Sequence, residues 1–129
     1  MNTPWWWPFG RVPEIEAHDL HASLQGNPPP QVIDVRSTLE WRGSRIAGAI
    51  SVPVTTLEQR LATLGLEQGR PVVAICLSAH RSIPAVRMLR IQGFEACQLR
   101  GGMRAWWAAD LPVQKGPPPA AGAGGRNPT

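Results

Sequence analysis

The residues best suited to chemistry lie together in "VVAICLSAHRS", residues 72–82. Cys76 ends an apolar run, and a serine, a histidine and an arginine follow it within five positions. A cysteine attacks as a thiolate, which backbone N–H groups at a helix start and neighbouring cations stabilise. We therefore predict Cys76 as a nucleophile and Arg81, whose guanidinium stays ionised, as the catalytic group that stabilises negative charge.

The remaining loop residues are assigned to substrate binding and to shaping the loop: Leu77, Ser78, Ala79, His80 and Ser82. Ser78 can donate a hydroxyl hydrogen bond, and His80 either helps to bind an anionic donor or faces solvent. A second interpretation stays open, because a free cysteine is often a buried, unreactive packing residue. The sequence has no carboxylate between Cys76 and Arg90 to oppose an anion, which favours the reactive interpretation.

Apolar runs alternate with helical patterns and would position this loop. Strands are predicted over 31–35, 48–54, 71–75 and 95–99, and helices over 16–26, 38–44, 56–66, 82–93 and 102–110. The run 71–75 is almost entirely apolar, as is typical of a strand buried on both faces. This order indicates an α/β domain with a mainly parallel sheet, whose ligands bind beyond the carboxyl ends of the strands. Cys76 stands at such an end.

The two ends of the chain differ in composition from the middle. We predict a Trp/Pro-rich N-terminal segment over 1–11, a domain over 12–114 and a disordered Gly/Pro-rich tail over 115–129. At least one tryptophan of the run Trp5–Trp7 is expected to pack against the domain. The alternative is that this run forms a surface for a protein partner or a membrane interface.

Composition excludes several classes of protein. The formal net charge of +4 suits an anionic substrate, but the basic residues are dispersed and no nucleic-acid partner is expected. Two cysteines and three histidines form neither a disulfide framework nor a metal site, so no metal is predicted. No apolar run approaches the roughly 20 residues that span a bilayer, and the N-terminus lacks a secretory signal pattern. We expect a cytoplasmic protein without membrane association.

Four segments resemble, in order and spacing, the single-domain rhodanese family of sulfurtransferases. They are "VIDVRSTLEW", "SRIAGAISVP", "CLSAHRS" and "LRGGMRAWWAADLPV". The resemblance runs from about Glu14 to Val113 and implies a rhodanese-like three-layer α/β fold, with helices on both faces of a mainly parallel sheet. Arg45 stands where the family usually has a histidine of mostly structural role. Ala79 replaces the loop glycine, which costs about 1 kcal/mol if that position needs a positive φ.

The resemblance also implies a reaction. Cys76 would take sulfane sulfur from thiosulfate or a related anion and pass it, as a persulfide, to cyanide, glutathione or a protein thiol, with no cofactor. Four residues separate Cys76 from Arg81, whereas related phosphatases and arsenate reductases use a loop one residue longer, so sulfur chemistry is favoured. The alternative is a rhodanese-like sulfur-relay or protein-binding module with little small-molecule turnover.

Supporting roles complete the prediction. By resemblance, Asp34 and Arg36 organise the neighbourhood of the site. We favour a structural role for them, as a salt bridge or a cap at the strand end, with Glu40 as one option for the partner of Arg36. Cys97, in the middle of a predicted strand, is expected to be a small packing residue, with a resolving thiol as the alternative.

Overall fold

The computed structural model describes residues 4–7, 9–78 and 80–118. In this part of the chain a single five-stranded sheet has the strand order β1-β5-β4-β2-β3, and every strand pairing is parallel. The strands are β1 (Glu14–Ile15), β2 (Gln31–Asp34), β3 (Ile50–Ser51), β4 (Val72–Ile75) and β5 (Ala96–Leu99). The helices are α1 (Ala17–Leu24), α2 (Thr38–Gly43), α3 (Leu57–Arg60), α4 (Ser82–Ile91) and α5 (Gly102–Ala108).

The sheet is covered by helices on both faces, because alternate strand residues point to opposite sides and both sides are apolar. One core lies between the sheet and α4, and contains Val72, Ala74, Cys76, Val86 and Leu89. The other lies between the sheet and the helices α1 and α5, and contains Leu20, Val73, Ile75, Met103 and Trp106. All four residues of β4 are buried. The predicted three-layer α/β fold is therefore confirmed.

Three elements differ from their predictions. The predicted helix 56–66 is wrong as a single element, because it consists of a 3₁₀ turn (Val54–Thr56), α3 and a second 3₁₀ turn (Leu61–Thr63). The predicted strand 48–54 shortens to β3, because the chain enters a 3₁₀ turn at Val54, although Val52 and Val54 still donate to the carbonyls of Asp34 and Val35. Strand β1 was not predicted, because two residues are too few to show an alternating pattern. No helix in the described ranges is long and apolar enough to cross a membrane.

Backbone contacts continue past the predicted boundary at residue 114 as far as Gly116. The Gly116 N–H group donates to the Arg42 carbonyl oxygen at 2.7 Å. The Gly116 carbonyl accepts a bond of 2.7 Å from Nη1 of Arg45. Arg45 is buried, and its guanidinium carbon lies 4.2 Å from the centroid of the Trp41 ring. Arg45 thus has a structural role. The disorder predicted for the tail concerns mostly residues 119–129, which lie outside the described residues.

Two truncations test where the stabilising contacts end. Deleting residues 117–129 is expected to leave the melting temperature unchanged, because a Gly/Pro-rich end buries little surface. Deleting residues 115–129 removes both Gly116 bonds and leaves Arg45 short of an acceptor, which should destabilise the fold by about 1–2 kcal/mol. Thermal unfolding of the two truncated chains measures the difference. Equal losses in both would show that Gly116 is not the anchor.

Candidate active site

Cys76 follows the central strand β4 directly, and residues 77–81 connect it to helix α4. Its side chain is 1% exposed, and its Sγ atom lies 3.2 Å from the Ser82 Oγ atom. Ser78 and His80 are exposed on the same loop, and Leu77 is half-buried. Ala79 lies outside the described residues, so the strain predicted there stays a prediction. The structure thus places Ser82, rather than the exposed Ser78, against the sulfur.

Ser82 is linked to two residues that the sequence analysis missed. Its Oγ donates to Oε1 of Gln98 at 2.5 Å, and Nε2 of Gln98 donates to Oε2 of Glu14 at 2.8 Å. Ser82 and Gln98 are both buried, whereas Glu14 is exposed at the sheet edge. Hydrogen bonds therefore run from Cys76 to the surface. In the sequence, the one sign of this network was Gln98, an uncharged polar residue in the otherwise apolar strand "ACQL".

Arg81 forms a bidentate ion pair with Glu40, with N–O distances of 2.5 and 3.0 Å. Glu40 also closes a capping box with Ser37 at the start of α2, so the loop is fastened to that helix. The pKa of Arg81 is raised, first by its hydrogen bond to Glu40 and then by attraction to Glu40, Cys76 and Asp34. The attraction between Arg81 and Cys76 favours a sulfur anion, but Glu40 compensates part of the charge of Arg81.

Asp34 and Arg36 form a buried salt bridge at the end of β2, as the structural interpretation predicted. Arg36 donates from Nε and Nη2 to the two carboxylate oxygens at 2.9 and 2.7 Å. Its Nη2 also donates to the Ser44 carbonyl at 2.6 Å, beyond the end of α2. The option that paired Arg36 with Glu40 is wrong, because Arg36 turns inward to Asp34 while Glu40 binds Arg81. The pair holds the strand end beside the loop.

The first turn of α5 supports the backbone of the loop from behind. Met103 N–H donates to the Cys76 carbonyl at 2.8 Å, and Arg104 N–H donates to the Leu77 carbonyl at 3.1 Å. Gly102 has φ +59°, and a Cβ atom there would lie 2.4 Å from the Cys76 carbonyl oxygen. This close approach explains the second glycine of "RGGM", since a residue with a side chain would push the loop away.

The N-terminal segment reaches the same loop. Trp5 is partly buried against the core beneath α4, which confirms the prediction that one of the three tryptophans packs on the domain. Arg87 of α4 donates to the carbonyl oxygens of Trp7 and Phe9. The Phe9 ring lies 5.6 Å from the His80 ring, edge to face. This contact with the loop could not be read from the sequence, because Phe9 and His80 are 71 positions apart.

Beyond Trp5 the segment exposes an aromatic surface, made of Trp6, Trp7 and Phe9, which are 58%, 44% and 55% exposed. Their rings contact one another in sequence, with centroid distances of 6.2 Å for Trp6–Trp7 and 5.6 Å for Trp7–Phe9. Large aromatic side chains are commonly covered in a soluble protein or used for binding. The aromatic surface adjoins the loop through Phe9.

The Glu40–Arg81 pair gives the fold a specific acid sensitivity. The hydrogen bond from Arg81 lowers the pKa of Glu40 from 4.5 to about 2. Because the folded-state pKa lies below the ordinary value, the stabilisation is fully present above about pH 4.5 and is lost as the pH falls towards 2. Both side chains are about one third exposed, so solvent screening should keep the effect below about 1 kcal/mol.

We therefore expect that lowering the pH from about 6 to about 3 reduces the free energy of unfolding less in Glu40→Gln than in the native chain. Urea unfolding at the two pH values measures the difference. Glu16→Gln is the matched control, because it removes the same charge from an exposed ion pair with Arg100. Native and Glu40→Gln chains that lose equal stability would refute the role of the pair.

Comparison with known proteins gives one consistent result. Residues 16–109 match the family model described as a Rhodanese-like domain. A sulfurtransferase of Allochromatium vinosum is 30% identical over 103 residues, which cover 79% of this chain and 94% of that protein. The crystal structure of a rhodanese-related protein from Thermoplasma volcanium superposes with a TM-score of 0.72 at 28% identity, covering 80% of this chain and 98% of that one.

Other relatives are longer than this chain. An HTH-type transcriptional regulator of Mycobacterium tuberculosis is 39% identical over 89 residues, which cover 67% of this chain. The matched region covers 38% of that regulator, and 46% and 60% of two further curated relatives. The shared domain therefore occurs both alone and within larger proteins.

Proposed function

Because the chain belongs to the rhodanese-like domain family, we propose that it is a sulfurtransferase in which Cys76 carries sulfane sulfur as a persulfide. One observation carries the proposal: Cys76 lies at the carboxyl end of the central strand with its Sγ atom 3.2 Å from the Ser82 hydroxyl. Attraction between Arg81 and Cys76 would also favour a sulfur anion. A purely packing cysteine needs neither group.

The proposed reaction is a double displacement. The Cys76 thiolate attacks the outer sulfur of thiosulfate or a related donor, the donor's S–S bond breaks, and sulfite leaves with the bonding electron pair. Cyanide, glutathione or a protein thiol then attacks the outer sulfur of the persulfide. The bond to Sγ breaks, and Cys76 returns as a thiolate. Arg81 would stabilise the anionic donor and the departing sulfite, with His80 at the entrance.

Burial constrains how the donor arrives. Cys76 is 1% exposed, so the loop must give way, or admit a slender reagent, before an S–S bond can form. Burial by itself also fits an unreactive cysteine. The Ser82 hydroxyl at 3.2 Å and the attraction between Arg81 and Cys76 favour the reactive interpretation, because an apolar packing site requires neither of them.

Steady-state kinetics with thiosulfate and cyanide test the reaction. A covalent intermediate predicts ping-pong behaviour, so double-reciprocal plots at several cyanide concentrations should be parallel. Intersecting plots would indicate a ternary complex and would contradict a free persulfide intermediate. Thiocyanate formation measures the rate.

The aromatic surface favours a second candidate, a sulfur-relay or protein-binding module whose acceptor is a protein thiol. Trp6 and Trp7 are exposed and connect through Phe9 to His80, so a protein docked there would lie against the loop that follows Cys76. A chain that loads sulfur from thiosulfate but transfers it to cyanide only slowly would support the sulfur-relay module. Rapid turnover with cyanide would support the sulfurtransferase. A cytoplasmic location stays a prediction.

A further inference from the structure

A set of hydrogen-bonded polar side chains, two of them buried and one exposed, leads from Cys76 to the edge of the sheet. We call Ser82, Gln98 and Glu14 the polar relay. Its distances are 3.2 Å from Cys76 Sγ to Ser82 Oγ, 2.5 Å from Ser82 Oγ to Gln98 Oε1, and 2.8 Å from Gln98 Nε2 to Glu14 Oε2. Gln98 is 4% exposed and Ser82 is fully buried. Buried polar groups of this kind act as a network rather than singly.

The directions of these hydrogen bonds follow from what each group can donate. An ionised carboxylate only accepts, so the Gln98 atom that faces Glu14 must be the amide nitrogen. The atom that faces Ser82 is then the amide oxygen, which also only accepts. At 2.5 Å this oxygen competes strongly for the Ser82 hydroxyl hydrogen. Ser82 consequently turns a lone pair towards Cys76, which suits a sulfur that carries its own hydrogen.

We propose that Gln98 is a positioning residue, oriented by Glu14, that holds the Ser82 hydroxyl hydrogen away from Cys76 while the sulfur is a thiol. When Cys76 ionises, its proton passes to solvent and Ser82 can turn its hydrogen to the sulfur, breaking its bond to Gln98. The persulfide sulfur bonded to Cβ has no hydrogen either, and Ser82 can donate to it in the same way. The polar relay thus opposes ionisation of the resting thiol.

The charged groups around Cys76 are distinct from this relay. Arg81 attracts Cys76 and is paired with Glu40, and the buried pair of Asp34 and Arg36 lies at the end of the neighbouring strand. Substitutions in the relay leave all four of these groups in place. The inference rests on the proposed function only in taking Cys76 as the nucleophile.

The test is the pH dependence of Cys76 alkylation by iodoacetamide, in a Cys97→Ser background so that one thiol reacts. Gln98→Leu removes the competing acceptor and lets the Ser82 hydrogen turn to the sulfur. We expect the midpoint of the rate profile to fall by on the order of 0.5–1 pH unit, the size of one hydrogen bond to a charged group. The plateau rate at high pH reports access to the buried sulfur, so a looser loop would raise the plateau, whereas loss of the Gln98 acceptor alone would leave the plateau unchanged.

Two comparisons separate positioning from a structural effect. Ser82→Ala is added both to the background chain and to the Gln98→Leu chain. The two resulting chains should have the same midpoint, because the Ser82 hydroxyl hydrogen is gone. Glu14→Gln should shift the midpoint in the same direction as Gln98→Leu but less, since an amide at position 14 can donate or accept and no longer dictates which end of the Gln98 amide faces Ser82. Glu16→Gln is its matched control, because Glu16 shares the partner Arg100 with Glu14 and only Glu14 is bonded to Gln98 among the described contacts.

An unchanged or higher midpoint in Gln98→Leu, or an equal shift with and without Ser82, would overturn the proposal. If Gln98→Leu does not fold, Glu14→Gln against Glu16→Gln decides the question: equal midpoints refute the orienting role. Alkylation needs no sulfur donor, so these results do not depend on whether Cys76 transfers sulfur, and failure of sulfur transfer would be seen separately in the kinetics.

Discussion

Replacing Cys76 with serine is expected to reduce sulfur transfer from thiosulfate to cyanide to the uncatalysed rate. A serine hydroxyl cannot carry sulfane sulfur as a persulfide, so no partial activity remains through the same route. The fold should survive, because the smaller hydroxyl stays within hydrogen-bonding reach of the Ser82 Oγ atom, now 3.2 Å from the sulfur. Thiocyanate formation measures the activity, and thermal unfolding confirms that the variant is folded.

Cys97→Ser is the matched control for that loss. Cys97 lies within β5 and is partly buried, and burial raises the pKa of its thiol, which disfavours a thiolate there. The variant should keep most of the activity. A folded Cys76→Ser chain that still forms thiocyanate, or a Cys97→Ser chain that does not, would show that the chemistry has been assigned to the wrong cysteine.

The largest expected effect on stability comes from Gly102→Ala. The residue has φ +59°, and the new Cβ would lie 2.4 Å from the Cys76 carbonyl oxygen and 2.6 Å from the Leu77 carbonyl. Both obstacles are backbone atoms, which cannot move aside as a flexible side chain can. The positive φ costs about 1–2 kcal/mol and the forced displacement a further 1–3 kcal/mol or so. We expect roughly 2–5 kcal/mol of destabilisation and a loss of sulfur transfer, because Cys76 itself is displaced.

Gly65→Ala separates the two contributions. Gly65 has a similar φ of +73°, but a Cβ there meets nothing within 4 Å. This variant should lose only the conformational share, about 1–2 kcal/mol, and keep its activity. Urea unfolding gives both free energies. Similar losses of stability in the two variants would show that the close contact between Gly102 and the loop backbone does not constrain the fold.

The sequence predicted the sheet and the position of Cys76 because both depend on local patterns. The all-apolar β4 and the polar loop that follows it are contiguous, so their order along the chain already places the thiol at a strand end. The partner of Arg81 could not be predicted in the same way. Glu40 was recognisable as a group near the site, but only the folded turn after β2 decides that it binds Arg81 and leaves Arg36 to Asp34.

The long-range contacts of the polar relay and of the aromatic surface could not be predicted for a different reason. Gln98 and Glu14 are 84 positions apart, and Phe9 reaches His80 across the N-terminal segment. Such contacts depend on how β1 pairs with β5 at the sheet edge and on how Arg87 ties down the segment, and neither leaves a periodic signal. The helix predicted over 56–66 failed because its leucine spacing describes a buried face correctly without fixing the hydrogen-bond pattern of the backbone.

The most direct test of the central claim is to locate the sulfur after the native chain reacts with thiosulfate. Intact mass spectrometry should show a gain of one sulfur atom, and peptide mapping under non-reducing conditions should place it on Cys76. Cyanide should then remove it and restore the original mass. A chain that gains no sulfur, or that carries it on Cys97 instead, would contradict the claim that Cys76 is the sulfur-carrying nucleophile.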